Sequence, residues 1–414
     1  LLFMMADQMR YDRLGVVSAG VLTPALDRLA RQGVRFSRAY SATPTCTPAR
    51  AAILTGLKPW NHGMLGFGNV APEYEFEMPA TLTAIGYSTT VIGKDHFGWN
   101  ASAAPTMDLE DHGSGVKHGY EKLSIYDGAD EPVKRGPDDY DQYFERSKPA
   151  RLPSVPAYPL QDDNSWTGRA YPYAEEYHPT AWVGRQAVEF IRKQPSAADA
   201  RPWMLKVSFH RPHSPYDPPA RLLASSPESH LPPIVASTDG WDAAFLSTEH
   251  GCGNISHVQA MSTAGGGVRS SLSPGVDAWC GDMPPADRTT AREAYCTTRI
   301  LARFVQRSSV ANLAMISDAN IRFVDEYVGQ ILDALQSTAQ LETTLIIWTA
   351  DHGDGQADHG HWRKGFPFEF SAHIPMLLRW PETFAESLGI AVPRGAVIDE
   401  VSPHAPLRLM ISQA

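Results

Sequence analysis

Short runs of apolar residues, each ending on a polar cluster, alternate along this chain with amphipathic stretches. Residues 1–5 are apolar throughout and run into Ala6-Asp7-Gln8. A run without polar alternation predicts a strand buried on both faces, as in a parallel sheet. Thr23-Pro24 predicts a helix start, with Thr23 as N-cap, Pro24 at the first position and Gly33 as the stop. Val34 and Phe36 then alternate with Arg35 and Ser37, a strand pattern leading toward Cys46. A helix is predicted over 79–85 and a strand over 88–92, which delivers Gly93-Lys94-Asp95-His96. Val183, Ala187, Phe190 and Ile191 form one face of a helix over 182–191. The run 203–209 predicts a strand ending on His210-Arg211-Pro212-His213-Ser214-Pro215. Ile321, Val324, Val328, Ile331, Leu332 and Leu335 mark an amphipathic helix, and 344–349 a buried strand closing on Ala350-Asp351-His352-Gly353. Residues 101–177 and 225–285 lack such periods. The first stretch predicts long loops and short elements over the active-site face, the second an irregular segment rich in Gly, Ser and Pro.

Strand and helix alternation predicts an α/β fold with a mostly parallel sheet. In such a sheet the C-terminal ends of the strands lie on one edge, where open α/β sheets bind their ligands. Asp7-Gln8, Lys94-x-His96, His213 and Asp351-His352 would therefore meet there, and Cys46 can join them.

Charge and cysteine count narrow the field. With 36 Lys and Arg against 46 Asp and Glu, the formal charge of the 414 residues is −10 and no basic run stands out, which argues against nucleic acid as a partner. No window of about 18 apolar residues exists, so no membrane span is expected. Of the four cysteines, Cys46, Cys252, Cys280 and Cys296, three remain if Cys46 does chemistry, which is not a disulfide framework.

Pro48 suits the first turn of a helix, where its missing N–H costs nothing. That places Cys46 just before a helix N-terminus, a position that favours an anion. A nucleophile there, with Arg50 one turn on, suits attack on a sulfate or phosphate ester. Asp7, Gln8 and Asp351 offer hard oxygen atoms suited to Ca²⁺, Mg²⁺ or Mn²⁺, and His352 either completes the set or hydrogen-bonds the anion. Lys94 and Lys364 would stabilise charge on the nonbridging oxygens in the transition state. His96 and His213 are the candidate general base and acid. Asp358-His359 repeats the Asp-His-Gly pattern, but Asp351-His352 directly follows a strand and is preferred.

The stretch 46–56, Cys-Thr-Pro-Ala-Arg-Ala-Ala-Ile-Leu-Thr-Gly, resembles the signature of the type I sulfatases of the alkaline phosphatase superfamily. There Cys-x-Pro-x-Arg is the code for oxidising the cysteine to formylglycine. Cys46, Pro48, Arg50 and the trailing Leu54-Thr55-Gly56 match it, and the order of the other clusters is similar over nearly the whole chain. The resemblance implies an alkaline-phosphatase-like fold, with a large, mostly parallel central sheet flanked by helices on both faces. It implies metal ligands at Asp7, Gln8, Cys46, Asp351 and His352, with Ca²⁺ first and Mn²⁺ or Mg²⁺ as alternatives. It implies that Cys46 matures through a formylglycine-generating enzyme and that the hydrated aldehyde attacks sulfur, held by Arg50 and Lys94. His213 with Lys364 then assists the departing alcohol, and His96 takes a proton as the hemiacetal collapses and releases sulfate. The substrate would be a small-molecule or carbohydrate sulfate ester.

The pairs Asp7-Gln8 and Asp351-His352, in place of Asp-Asp and Asp-Asn, look like the branch holding phosphonate monoester hydrolases, choline sulfatases and some carbohydrate sulfatases. A phosphonate monoester or phosphodiester hydrolase using the same site is therefore an open alternative. So is a truncated, inactive paralogue. The expected organisation is a catalytic domain over 1–400, with an insertion at 297–314 and the start of a C-terminal subdomain at 401–414.

Overall fold

A computed structural model of the chain describes residues 1–65, 71, 73–97, 117–128, 138–152, 168, 170–194, 201–224, 307–356, 358, 363–387 and 394–399. The strands are β1 (Leu2–Asp7), β2 (Val34–Tyr40), β3 (Ser88–Gly93), β4 (Lys122–Ile125), β5 (Trp203–Pro212), β6 (Ile346–Ala350), β7 (His373–Arg379) and β8 (Ala396–Ile398). The helices that frame them include α1 (Pro24–Gln32), α2 (Cys46–Thr55), α3 (Pro59–His62), α4 (Met78–Ala84), α5 (Asp139–Ser147), α6 (Pro179–Lys193), α7 (Ala220–Ala224) and α8 (Arg307–Ser337).

The strands form an eight-stranded sheet in the order β4-β3-β5-β1-β6-β7-β2-β8. Every neighbouring pair is parallel except β6–β7 and β7–β2, so β7 alone among these strands runs the other way. β1 lies between β5 and β6, and every one of its residues is buried. Side chains on a strand alternate between faces, so Leu2 and Met4 on one face and Phe3 and Met5 on the other are all covered. The fold is therefore the expected α/β arrangement with both sheet faces packed.

Element bounds depart from the sequence reading by small amounts, with instructive exceptions. Thr23 is the N-cap of α1, but its side chain makes no capping hydrogen bond. Its hydroxyl instead accepts from Gly15 N–H and donates to Asp27. The helix is capped from a distance: the Asp325 carboxylate on α8 accepts the N–H groups of Ala25 and Leu26, at 2.9 and 2.8 Å. Burial raises the Asp325 pKa to about 7 against the lowering effect of those two hydrogen bonds. The stretch 101–177 contains β4 and α5, and α5 opens on a capping box between Asp138 and Asp141.

The chain divides into two compact units. One comprises Leu1–His230, Met315–Gly353 and Lys364–Ala414; the other comprises Leu231–Ala314 and Asp354–Arg363. The stretch 297–314 falls in the second unit; its residues 307–314 open α8, and the remainder lies outside the described residues, as do 401–414, Cys252, Cys280 and Cys296.

Gly93 ends β3 with φ +95°, and a Cβ there would stand 2.1 Å from the backbone oxygen of Ser208 on β5. Both the conformation and the space demand glycine. Gly93→Ala is expected to lower stability by about 1–3 kcal/mol through this clash with a strand neighbour. Urea unfolding would measure it, and an unchanged midpoint would show that the strands part without cost.

Candidate active site

Four strand ends supply the site. Between Ala6 and Asp7 the register of β1 against β5 shifts from Phe209 to Pro212, so the extra residues, His210 and Arg211, bulge from β5. Such a bulge re-aims the side chains that follow it on its own strand, here His213, while Asp7 and Gln8, the latter at φ +68°, stand at the end of β1 beside it. β6 ends at Ala350 and releases Asp351 and His352 beside them. β3 releases Lys94, whose N–H donates to Ser208 O at 2.8 Å. β5 releases His213, whose N–H donates to Asp7 O at 3.2 Å.

The nucleophile candidate comes from α2. Thr45 is its extended N-cap and Cys46 its first residue, so Cys46 lies inside the first turn rather than before it, with Pro48 two residues further on. The two placements differ by little more than the fraying of a helix end. Ala49, Ala51 and Ala52 are small and buried, and Gly56 closes the helix in the left-handed conformation, at φ +67°. Residues 46–50 are all buried.

Around Cys46 Sγ stand Lys364 Nζ at 2.8 Å, His352 Nε2 at 3.0 Å and Asp7 Oδ1 at 3.7 Å. Burial and Asp7 oppose ionisation of the thiol, but Lys364, His352 and Lys94 outweigh them and pull its pKa below the ordinary value. Gly365 N–H donates to Pro44 O at 2.9 Å, which ties the Lys364 segment to the loop before Cys46.

Arg50 holds the two acidic strand ends apart and in place. Its Nε donates to Asp351 Oδ2 at 2.9 Å, and Nη2 lies 3.5 Å from Asp7 Oδ2. Nη1 donates to Lys94 O at 2.9 Å and to Ser208 Oγ at 3.0 Å. Lys94 Nζ pairs with Asp7 Oδ2. Burial works against the charge on Asp7, but Lys94, His213, Lys364 and Arg50 together keep its carboxyl well below the usual range.

Asp7, Cys46, Asp351 and His352 each offer a ligand atom, and all four atoms lie within 4.8 Å of one another. Gln8 fits the same set. Its Nε2 donates to Tyr216 OH at 3.3 Å and its N–H to Asp351 Oδ1 at 3.1 Å. Its Oε1 is buried and has no hydrogen-bond partner among the described residues. A buried amide oxygen left this way is costly unless a cation or donor meets it. His352 Nδ1 donates to Gly353 O at 2.9 Å, which leaves Nε2 as the lone pair facing Cys46 and Asp7. Burial disfavours charge on His352, yet Asp351 and Cys46 raise its pKa overall. A cation among those anions would reverse that sign. The donor set, hard oxygens with one imidazole, fits a divalent cation.

His96 and His213 flank this cluster. Burial, then Lys94 and Arg50, hold His96 far below the ordinary histidine value, so it is a neutral imidazole. His213 Nδ1 donates to Ser214 O at 2.8 Å. Asp358, of the rival Asp-His pair, is buried in the second unit, while His359 lies outside the described residues. Ser208 and Tyr216 flank the 210–215 cluster without belonging to it, and Asp127 has no chemistry-bearing motif around it, so the sequence reading names none of the three. Ser208 sits inside an apolar strand, and it is the parallel β3–β5 register that sets it beside Arg50.

A candidate nucleophile with two lysines, two candidate proton carriers and a candidate cation site, gathered at strand ends of a mostly parallel sheet of the alkaline-phosphatase-like fold, is the arrangement that metal-assisted ester hydrolysis requires. The Sulfatase family model matches residues 1–405, and the chain belongs to that family. It is 28% identical to an arylsulfatase of Clostridium perfringens over 97% of this chain and 71% of that protein. It is 27% identical to a choline-sulfatase of Rhizobium meliloti over 92% of this chain, but spans only 62% of that protein's length. Among solved structures, the phosphonate monoester hydrolase of Agrobacterium radiobacter matches with a TM-score of 0.67 at 22% identity, covering 100% of this chain and 73% of that one. That likeness is one of fold. Among the described residues, no helix is long and apolar enough to cross a membrane.

Proposed function

We propose that this chain hydrolyses a sulfate monoester of a small molecule or carbohydrate, with the residue at position 46 as nucleophile after oxidation to formylglycine by a formylglycine-generating enzyme. The observation that carries this reading is the place of Cys46 Sγ, 2.8 Å from Lys364 and 3.0 Å from His352 at a helix N-terminus. Sγ stands where the attacking oxygen of the mature residue would be. That residue supplies two geminal hydroxyls, one to attack sulfur and one to expel the sulfate afterwards. Asp7, Gln8, Asp351 and His352 would hold the cation, Ca²⁺ by preference, with Mn²⁺ or Mg²⁺ as alternatives. A bound cation polarises the ester oxygens and offsets the charge of the nucleophile.

The chain's own residues do the rest. Arg50 fixes the two carboxylates and, with Lys94, sustains a positive field over the nonbridging oxygens. Lys364 and His213 assist the departing alcohol, and His96 takes the proton from the second hydroxyl. Lys364 and Lys94, which lower the pKa of the unmodified thiol, would stabilise an anion on the mature nucleophile in the same way.

The test uses protein co-expressed with a formylglycine-generating enzyme and loaded with Ca²⁺. Peptide mass spectrometry across Cys46 should show the aldehyde or its hydrate. 4-Nitrophenyl sulfate should be turned over faster than an aryl phosphonate monoester. Added Ca²⁺ should raise the unfolding midpoint, by an amount equivalent to about 2.7 kcal/mol at a hundredfold excess over Kd. A dominant phosphonate rate would replace sulfate by phosphonate as the substrate, and an unmodified thiol would remove the nucleophile from the scheme.

A further inference from the structure

The segment that leaves β3 with Lys94 and His96 has its two ends held by different groups. At the Lys94 end the anchors belong to the site itself: Lys94 N–H donates to Ser208 O, and Lys94 O accepts from Arg50. In the middle, Asp95 pairs with the buried Lys206 at 3.1 Å. At the far end His96 has φ +64°, a left-handed conformation that disfavours any residue with a Cβ. One carboxylate oxygen sustains that turn. Asp127 Oδ1 accepts the N–H of Asp95 at 2.8 Å and the N–H of His96 at 2.9 Å. Two successive N–H groups converging on one anionic oxygen form a concave cap of the kind that backbone turns offer to anions.

Asp127 is itself braced. Its N–H donates to Asp138 Oδ2 at 3.0 Å, and Asp138 is the N-cap of α5. Two residues earlier, Ile125 N–H donates to Asp139 Oδ2 at 2.6 Å. The carboxylate that shapes the His96 turn is thus clamped to a strand end and a helix start.

We propose that Asp127 is a positioning residue: it fixes His96 in the left-handed turn that presents its imidazole to the charged cluster around Cys46. The inference rests on the role given to His96 under the proposed function. Asp127 acts through the backbone of its neighbour, and it works by acceptance of two hydrogen bonds rather than by charge. Asparagine can supply the same acceptor, and alanine cannot.

The experiment compares wild type, Asp127→Asn and Asp127→Ala in two readouts on the matured, Ca²⁺-loaded chain. The first is hydrogen exchange at the Asp95 and His96 amides, which is independent of any reaction. The second is pre-steady-state turnover of 4-nitrophenyl sulfate. Wild type and Asp127→Asn should keep the two amides protected and have similar kcat. Asp127→Ala should lose the protection and have kcat lower by about 10–100-fold, with KM lowered alongside it so that kcat/KM changes little. Alcohol release in Asp127→Ala should appear as a burst, because the step that needs His96 as base comes after the alcohol leaves. Unchanged protection in Asp127→Ala overturns the proposal, and so does lost protection with a wild-type kcat. Should the alanine variant fail to fold, a folded Asp127→Asn with a tenfold loss of kcat overturns it as well. A wild type inactive on sulfate would count against the functional reading alone, and the amide readout would still decide whether Asp127 holds the turn.

Discussion

Cys46→Ala is expected to abolish turnover of a sulfate ester, by on the order of 10⁴-fold or more, while leaving the fold intact. The large loss follows from the arrangement around Sγ. Lys364, His352 and Asp7 converge on that one atom, and no other nucleophile stands among them in the described residues. The small structural cost follows from what the sulfur does not do. It lies among polar groups and not in the apolar core cluster, so its removal opens no cavity lined by hydrocarbon. The check is paired: kcat with 4-nitrophenyl sulfate, and the thermal midpoint of the same preparation. Residual activity within tenfold of wild type would show that hydrolysis proceeds without this residue, and the proposed nucleophile would have to be abandoned.

Arg50→Met is expected to lower stability by about 3–5 kcal/mol, the size of effect found when one partner of a buried ion pair is removed. Arg50, Asp7 and Asp351 are fully buried. Methionine fills part of the space but leaves Asp351 Oδ2, Lys94 O and Ser208 Oγ without their donor. Lys94 still pairs with Asp7, so the uncompensated charge falls mainly on Asp351. Because the same carboxylates are candidate cation ligands, added Ca²⁺ should restore part of the loss by binding only the folded state. Urea unfolding with and without Ca²⁺ measures both effects. A loss below about 1 kcal/mol would place Arg50 among the surface-like pairs, whose net worth is small, and would contradict its burial.

The alternation of apolar runs with amphipathic stretches made the α/β class legible in the sequence. Leu2–Asp7 and Ile346–Ala350 are buried on both faces, and a strand with no solvent side has no reason to alternate. Helix α6 was legible from Val183, Ala187 and Ile191, though its start was less so. His178 caps it through its ring, accepting from Thr180 N–H at 3.0 Å, and histidine is an uncommon cap. The long span 101–177 hid α5, because nine residues rich in Asp and Tyr carry little apolar period.

The order of residues along the chain settles only local relations. It specified which residues end the strands, and hence that Asp7, Lys94, His213 and Asp351 face one edge, together with the helix start that carries Cys46. A strand's buried run and the polar residue that stops it are neighbours in the chain, so their relation survives without knowledge of the rest. Tertiary structure alone decided the strand order, the reversal of β7, the cap lent to α1 by Asp325 from 300 positions away and the grip of Asp127 on the His96 turn. It also made Arg50 the common partner of two carboxylates from β1 and β6. Each of these is a contact between residues far apart in sequence, made because hydrogen-bonding groups taken out of water must find partners wherever packing leaves them. No pattern along the chain encodes where that will be.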